Sequence, residues 1–322
     1  MKNQVPIAIA ATLTSAASLS ADVKNMTVPE IKHGYQRHAA LAQFHRWYLI
    51  YENPEYGMKN QLDILTPDIT VKSGLGEASG HEAYAARVHQ LPKTWKNAHE
   101  VKATRVSFPK DGKIALEADV TYLNRGLLPD GKVRTADLTY RTTLTGTDDL
   151  LPKFSTIEIK QNSEDTVETF TPAYAHNRVK SLAHYWLALI EDPKRDPEPV
   201  REILAPDFSL NFSSGKITDF DGFKAWLAGP ASQVAASTHE ISDFKVLNDD
   251  DGQLQISMTL DWNGILPNDV EMTAKTAHTW TVLDTPTERF PRIKTIDVKL
   301  LEPFKPKAKA EKEPELTSEE SP

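Results

Sequence analysis

The pentapeptide ILTPD at residues 64–68 returns as ILAPD at 203–207, and this recurrence constrains the fold more than any other feature of the chain. Sliding the sequence against itself by 139 positions sets HRWYLIYENP (45–54) on HYWLALIEDP (184–193) without a gap, and ten of the 44 pairs from residue 45 to 88 are identical. Average composition would give roughly three. At offsets of 138 to 140 HEV (99–101) meets HEI (239–241), GLLPD (126–130) meets GILPN (264–268) and STIEIK (155–160) meets KTIDVK (294–299). Units of this length exceed the roughly 20–50 residues of solenoid repeats, so each copy is expected to be a whole domain. The copies run over 36–162 and 175–303, with 163–174 as the linker between them.

Each copy shows the same order of periodicities. Ala40, Phe44, Trp47 and Tyr51 fall at helical spacing, matched by Val179, Ala183, Trp186 and Ile190, and proline stops both helices at Pro54 and Pro193. A short second helix, an extended run (ITVKS, FSLNF) and a third helix (GHEAYAARV, DFDGFKAWL) follow. The back half alternates: Ile114, Leu116, Ala118, Val120 and Tyr122 share one side, as do Leu254, Ile256, Met258, Leu260 and Trp262, the period of half-buried strands. Three helices followed by a run of mostly antiparallel strands predict an α+β domain in which a curved sheet wraps one long helix.

The 322 residues carry 37 basic and 45 acidic side chains, a formal charge of −8, so the basic footprint that nucleic acid requires is missing. There is no cysteine, which excludes disulfides, thiolate catalysis and cysteine-ligated metals. No metal-ligand spacing, phosphate-cradling glycine loop or nucleophile elbow occurs, and no cofactor is expected. After the first residues no stretch is long and apolar enough to cross a membrane. Residues 1–21 combine one lysine, an apolar run from Val5 to Leu19 and small residues at Ala17 to Ala21, the pattern of a secretory signal, and predict a periplasmic or secreted protein; an Ala/Ser-rich cytoplasmic leader is the alternative. Residues 304–322 mix Lys, Glu and Pro and read as a disordered, solvated tail.

The helix ending in E-[ND]-P, the [IL]-L-x-P-D entry to the first strand, the Gly/Asp-rich approach to the third helix and the HE[VI] opening of the long strands resemble the nuclear transport factor 2-like superfamily. The SnoaL-like and ketosteroid-isomerase-like branches are the most similar. The resemblance covers both copies and implies two tandem cone-shaped half-barrels, each able to hold a small organic ligand at its open end. It also implies a tendency to pair as dimers, which here the two copies can do internally. Steroid-isomerase-like members place a carboxylate base just after the first strand. VKSGLGEAS and LNFSSGKIT have none at that point, although Glu77 follows, which argues against that type of proton abstraction.

Several residues are candidates for chemistry. His278 shares a strand face with Met272, Ala274, Thr276, Trp280 and Val282, and its counterpart in the first copy is Tyr140. His99 and His239 open the first long strand of each copy. Only copy two can therefore assemble two imidazoles, and His239 with His278 are the expected proton-handling pair, against the plainer reading of satisfied core residues. Trp262, Trp280, His99, Tyr122, Tyr140 and Trp186 are the expected ligand-binding wall. His45 and His184 sit away from the apolar face of their helices and predict an interface contact. Asp68 and Asp207 read as turn residues. Function is expected to be small-ligand binding, with a cofactor-independent lyase, dehydratase or isomerase as the alternative and a non-catalytic scaffold as the third.

Overall fold

The computed structural model describes residues 25–250 and 252–307; the leader of 1–21 and the tail from 308 onward lie outside the described residues. A short helix α1 (Val28–Lys32) precedes the first long helix, which is broken once at Tyr48 into α2 (Gly34–Trp47) and α3 (Leu49–Glu52). Then come α4 (Gly57–Asp63), β1 (Leu65–Ser73), β2 (Gly76–Ser79), α5 (Gly80–His89), β3 (Lys96–Ser107), β4 (Ile114–Arg125), β5 (Val133–Thr145) and β6 (Lys153–Gln161). The linker is not wholly irregular: β7 (Asp165–Val167) adds to β5. The second half repeats the order with α6 (Tyr174–Glu191), a 3₁₀ turn at Glu198–Ile203, β8 (Leu204–Phe212), β9 (Gly215–Ile217), α7 (Phe220–Ala228), β10 (Ala236–Asp250), β11 (Gln253–Ile265), β12 (Glu271–Leu283) and β13 (Arg292–Pro306). That last strand pairs Met272 with Pro306, so it runs into the segment that composition assigns to the tail.

The two sheets have the same strand order, β2-β1-β6-β5-β4-β3 and β9-β8-β13-β12-β11-β10. In each, the first strand is parallel to the last and every other pair is antiparallel. Each half is an α+β cone-like half-barrel. The recurring pentapeptide has a structural cause. Pairing passes from Leu65–Phe154 to Thr70–Thr156 in one half and from Leu204–Ile293 to Ser209–Thr295 in the other, so the same three extra residues bulge from the strand each time. Proline lacks the N–H that a ladder needs, and a bulge is where a strand tolerates it. Asp68 and Asp207 thus sit exposed on strand bulges rather than in turns, and Asp207 pairs with Lys294.

The long helices explain why the halves hold together. α2 turns Ala40, Phe44 and Trp47 into the core of its own sheet, while Ala39 and Ala42 belong to the core of the second half. Alanine on that face lets α2 and α6 approach closely. Gly34 serves the same end, since a Cβ there would overlap Thr238 of β10. The contact continues where Arg46, fully buried, lies 5.0 Å over the Phe290 ring and donates to Tyr56, Gln43 and Asp63, and where Arg178 lies 5.5 Å over Tyr56 and donates to Asp284. Buried guanidinium groups need this degree of satisfaction to be tolerated.

Candidate functional site

Two motifs that recur separately in the sequence meet in the fold. Glu52, which ends α3 in YENP, accepts hydrogen bonds from the backbone N–H of His99 at 2.8 Å and from its ring Nδ1 at 3.1 Å. Glu191, which ends α6 in IEDP, does the same for His239, at 2.8 Å from both. In the neutral ring a carboxylate on Nδ1–H selects that tautomer and leaves Nε2 as the acceptor. Each pair is braced from the other half at equivalent positions. Asn177 donates to both oxygens of Glu52 and to the His99 carbonyl, and His38, 139 residues earlier, bonds the His239 carbonyl at 2.9 Å.

In the first half the oriented ring faces a cavity of about 720 Å³ at the open end of the sheet. His99, Tyr122 and Tyr140 all line it, together with Trp47, Tyr51 and Leu138. The His99 ring stacks on Tyr48 at 4.5 Å and lies 5.1 Å from Tyr122. Tyr122 donates to Asn97 at 2.7 Å. Tyr51 and Tyr84 share a hydrogen bond of 2.7 Å, and Gln61 donates to the Tyr84 oxygen at 2.9 Å. When Tyr84 donates to Tyr51, the Tyr51 proton is left for a ligand. Burial pushes both phenols up, so they stay protonated donors at neutral pH. Arg87, Arg134 and Lys160 stand in the cavity wall, with Arg134 held by Glu164 at 2.8 Å. The chemistry available is an apolar chamber with one positioned proton acceptor, a phenolic donor and cationic groups.

The second half is furnished differently. Where the first has Ser73, Arg87 and Thr142, the second has Phe212, Trp226 and Trp280. Phe212 and Trp226 touch at 4.8 Å, and Trp186 packs against Phe212, Phe223 and Trp280 at 6.4, 5.8 and 6.1 Å. Trp186 and Trp280 are thus core rings in mutual contact. His278 bonds Thr276 through Nε2 at 3.0 Å and receives a long bond of 3.4 Å from the Trp280 indole. Burial, then the charge of His239, brings its pKa down to about 3, so it is neutral. His239 and His278 are near enough for their charges to interact, but no hydrogen bond joins them and each ring has its own partners. Trp262 stands apart, edge-on to Phe304 at 5.0 Å. His239 and His278 are therefore separately held rings, and the cavity described above lies in copy one, with His99 in its wall.

His45 and His184 take the interface role that their position predicts: their rings stack at 5.6 Å across the α2–α6 seam. Sequence reasoning missed Glu52, Glu191 and Asn177. The signal was present, because glutamate and histidine recur together in both copies, but they are 47 and 48 residues apart and each looked like a landmark of its own element. Among the described residues no three His, Asp or Glu side chains converge as metal ligands, and no helix is long and apolar enough to cross a membrane.

No family model matches the chain, and no curated protein matches it. Solved structures do. A hexachlorocyclohexane dehydrochlorinase, LinA-type3 from Novosphingobium barchaimii, is 18% identical, with 44% of this chain and 99% of that one covered and a TM-score of 0.39. Kfla4162 protein from Kribbella flavida is 12% identical over 41% of this chain and 93% of its own, at a TM-score of 0.35. ActVI-ORFA from Streptomyces coelicolor is 13% identical over 38% and 96%, at 0.31. Similarity at this level transfers no activity and no residue role.

Proposed function

We propose that the protein binds a small, largely apolar organic molecule in the cavity of its first half, with the second half as a structural twin whose interior is filled by its own aromatic rings. The observation that carries this reading is the His99 ring, held at backbone and Nδ1 by Glu52 and lining a chamber walled by Ser73 and Arg87, positions where the other copy carries the touching rings of Phe212 and Trp226. The halves act as a fixed internal pair, a reading supported by the packing of α2 on α6 and by Asn177 bracing the Glu52–His99 pair from the neighbouring half. Residues 1–21 act as an export signal, so protein from its host would begin near Asp22; intact-mass measurement showing residues 1–17 retained on exported protein would overturn this.

The binding reading is tested with 2-naphthol, followed by quenching of tryptophan fluorescence, since Trp47 and Trp95 line the cavity. Leu138→Trp, which fills the chamber, should weaken 2-naphthol binding at least about tenfold, or about 1.4 kcal/mol. Unchanged affinity would place the binding elsewhere.

A second reading, cofactor-independent proton abstraction, is favoured by the tautomer of His99. Its bare Nε2 can take a proton from carbon next to a carbonyl, with the charge developing on the carbonyl oxygen met by the Tyr51 hydroxyl. 2-Tetralone in D₂O reports this directly. The protein should speed deuterium entry next to the carbonyl, His99→Gln should abolish the acceleration, and an undiminished rate in that variant would leave binding alone.

A further inference from the structure

A second depression, of about 790 Å³, lies between the two halves and is walled by α2, α6, β3 and β10. His45 and His184 form part of it, and their tautomers follow from their partners. His45 Nδ1 meets Asn177 Oδ1 at 2.9 Å, and that amide is oriented because its nitrogen donates to Glu52. The proton of His45 is therefore on Nδ1. His38 Nε2 lies 2.9 Å from the His239 carbonyl, so its proton is there, and its bare Nδ1 accepts from His184 Nδ1 at 2.9 Å. Both His45 and His184 consequently present an unprotonated Nε2, and neither Nε2 has a hydrogen-bond partner among the described residues. Burial and neighbouring positive charge keep both rings neutral.

One helical turn before His184, Lys180 stands in the same wall. Its ammonium lies 4.7 Å over the Phe244 ring and makes no hydrogen bond or close ion pair among the described residues, with the Glu240 carboxylate of the same wall near enough to act on it. The other cations of the wall are committed: Arg37 pairs with Glu240 at 2.5 Å, Lys102 with Glu100 at 2.6 Å and Arg105 with Glu117 at 3.4 Å. Leu41, Val101 and Ile241 supply apolar surface between them. Unprotonated imidazole nitrogens call for donors, and a half-buried unpaired ammonium calls for an anion.

We infer that this cleft is a second ligand site, separate from the copy-one cavity, for a small organic anion that also carries a hydroxyl group. The carboxylate sits against Lys180, the hydroxyl donates to Nε2 of His184 or His45, and the carbon skeleton lies on Leu41, Val101 and Ile241. The two requirements act together, so a ligand missing either one binds less well.

The test is calorimetric titration of the full chain with 4-hydroxybenzoate, benzoate and 4-hydroxybenzyl alcohol. 4-Hydroxybenzoate should bind at least about tenfold more tightly than benzoate, which lacks the hydroxyl, and than the alcohol, which lacks the charge. Lys180→Met, which keeps the stem, should remove the advantage over the alcohol while preserving that over benzoate. Leu138→Trp, which fills the other cavity, should leave 4-hydroxybenzoate affinity within twofold. Equal affinity for 4-hydroxybenzoate and benzoate overturns the inference. So does binding that survives Lys180→Met but is lost in Leu138→Trp, which would assign the probe to the copy-one cavity and leave the reading of that cavity standing.

Discussion

Glu52 is the residue on which the candidate site turns. Its side chain is buried, and it takes up the backbone N–H and ring N–H of His99 and two donations from Asn177. Every contact it makes is with a donor, which only a carboxylate satisfies. Glu52→Gln would turn an amide N–H toward these donors and should cost about 1–3 kcal/mol in urea unfolding, the penalty of unmatched buried polar groups. The same variant should lower any His99-dependent exchange of 2-tetralone more than it lowers 2-naphthol affinity, because it disturbs the ring's tautomer and leaves the apolar walls in place. Glutamate and histidine are both legible as recurring letters in the sequence. Their bond is not, because recurrence says which residues matter to both copies and carries no information on which element lands beside which.

At the scale of elements, the alternation along β4 and β11 and the helical spacing of Trp47 and Trp186 translated directly into buried faces, since period alone decides which side meets the core. The P-D step of the first strand did not: proline and aspartate favour turns, but the parallel partner strand leaves room for a three-residue bulge and the chain stays extended through it. The difference in furnishing was also written in the alignment, as Ser73 against Phe212 and Arg87 against Trp226, yet side-chain volume decides nothing until the face is known. Trp280 is the inner stopper of the second half, fully buried against Trp186. Trp280→Thr, which installs the residue that copy one has at Thr142, should cost about 3–5 kcal/mol by thermal or urea unfolding, as for a large-to-small change in a packed core. A loss under about 1 kcal/mol would mean that the second interior is not tightly filled.

Across the whole molecule, the seam between α2 and α6 is built of neutral imidazoles. Burial drives His38 and His184 well below the ordinary histidine value and brings His45 down to about 3, with nearby positive groups adding to each. A base whose folded pKa is depressed binds fewer protons folded than unfolded, so stability is complete above the unfolded value near 6.5 and falls as pH drops toward the folded one. Each such group contributes up to about 1.4 kcal/mol per pH unit in that window. Urea unfolding should therefore be insensitive to pH between 7 and 8 and lose stability steeply between 6 and 4, with a slope of more than one proton. His45→Asn, which keeps a polar partner for Asn177, should flatten it. A flat profile from 7 to 4 would mean that the seam opens to water. The seam was only half legible beforehand: the off-face placement of His45 and His184 pointed to a contact, but His38 lies in the one helix position where copy two has Asn177, and identity-based alignment passes over such a pair.

The proposed function requires two interiors furnished for different ends, one open around an oriented histidine and one closed by aromatic rings. A crystal structure of the full chain with 2-naphthol tests this most directly. The expected result is naphthol in the first half, against Trp47, Tyr51 and His99, with Phe212, Trp226 and Trp280 still in contact in the second. Naphthol lodged between Phe212 and Trp226, with the copy-one cavity empty of it, would contradict the assignment.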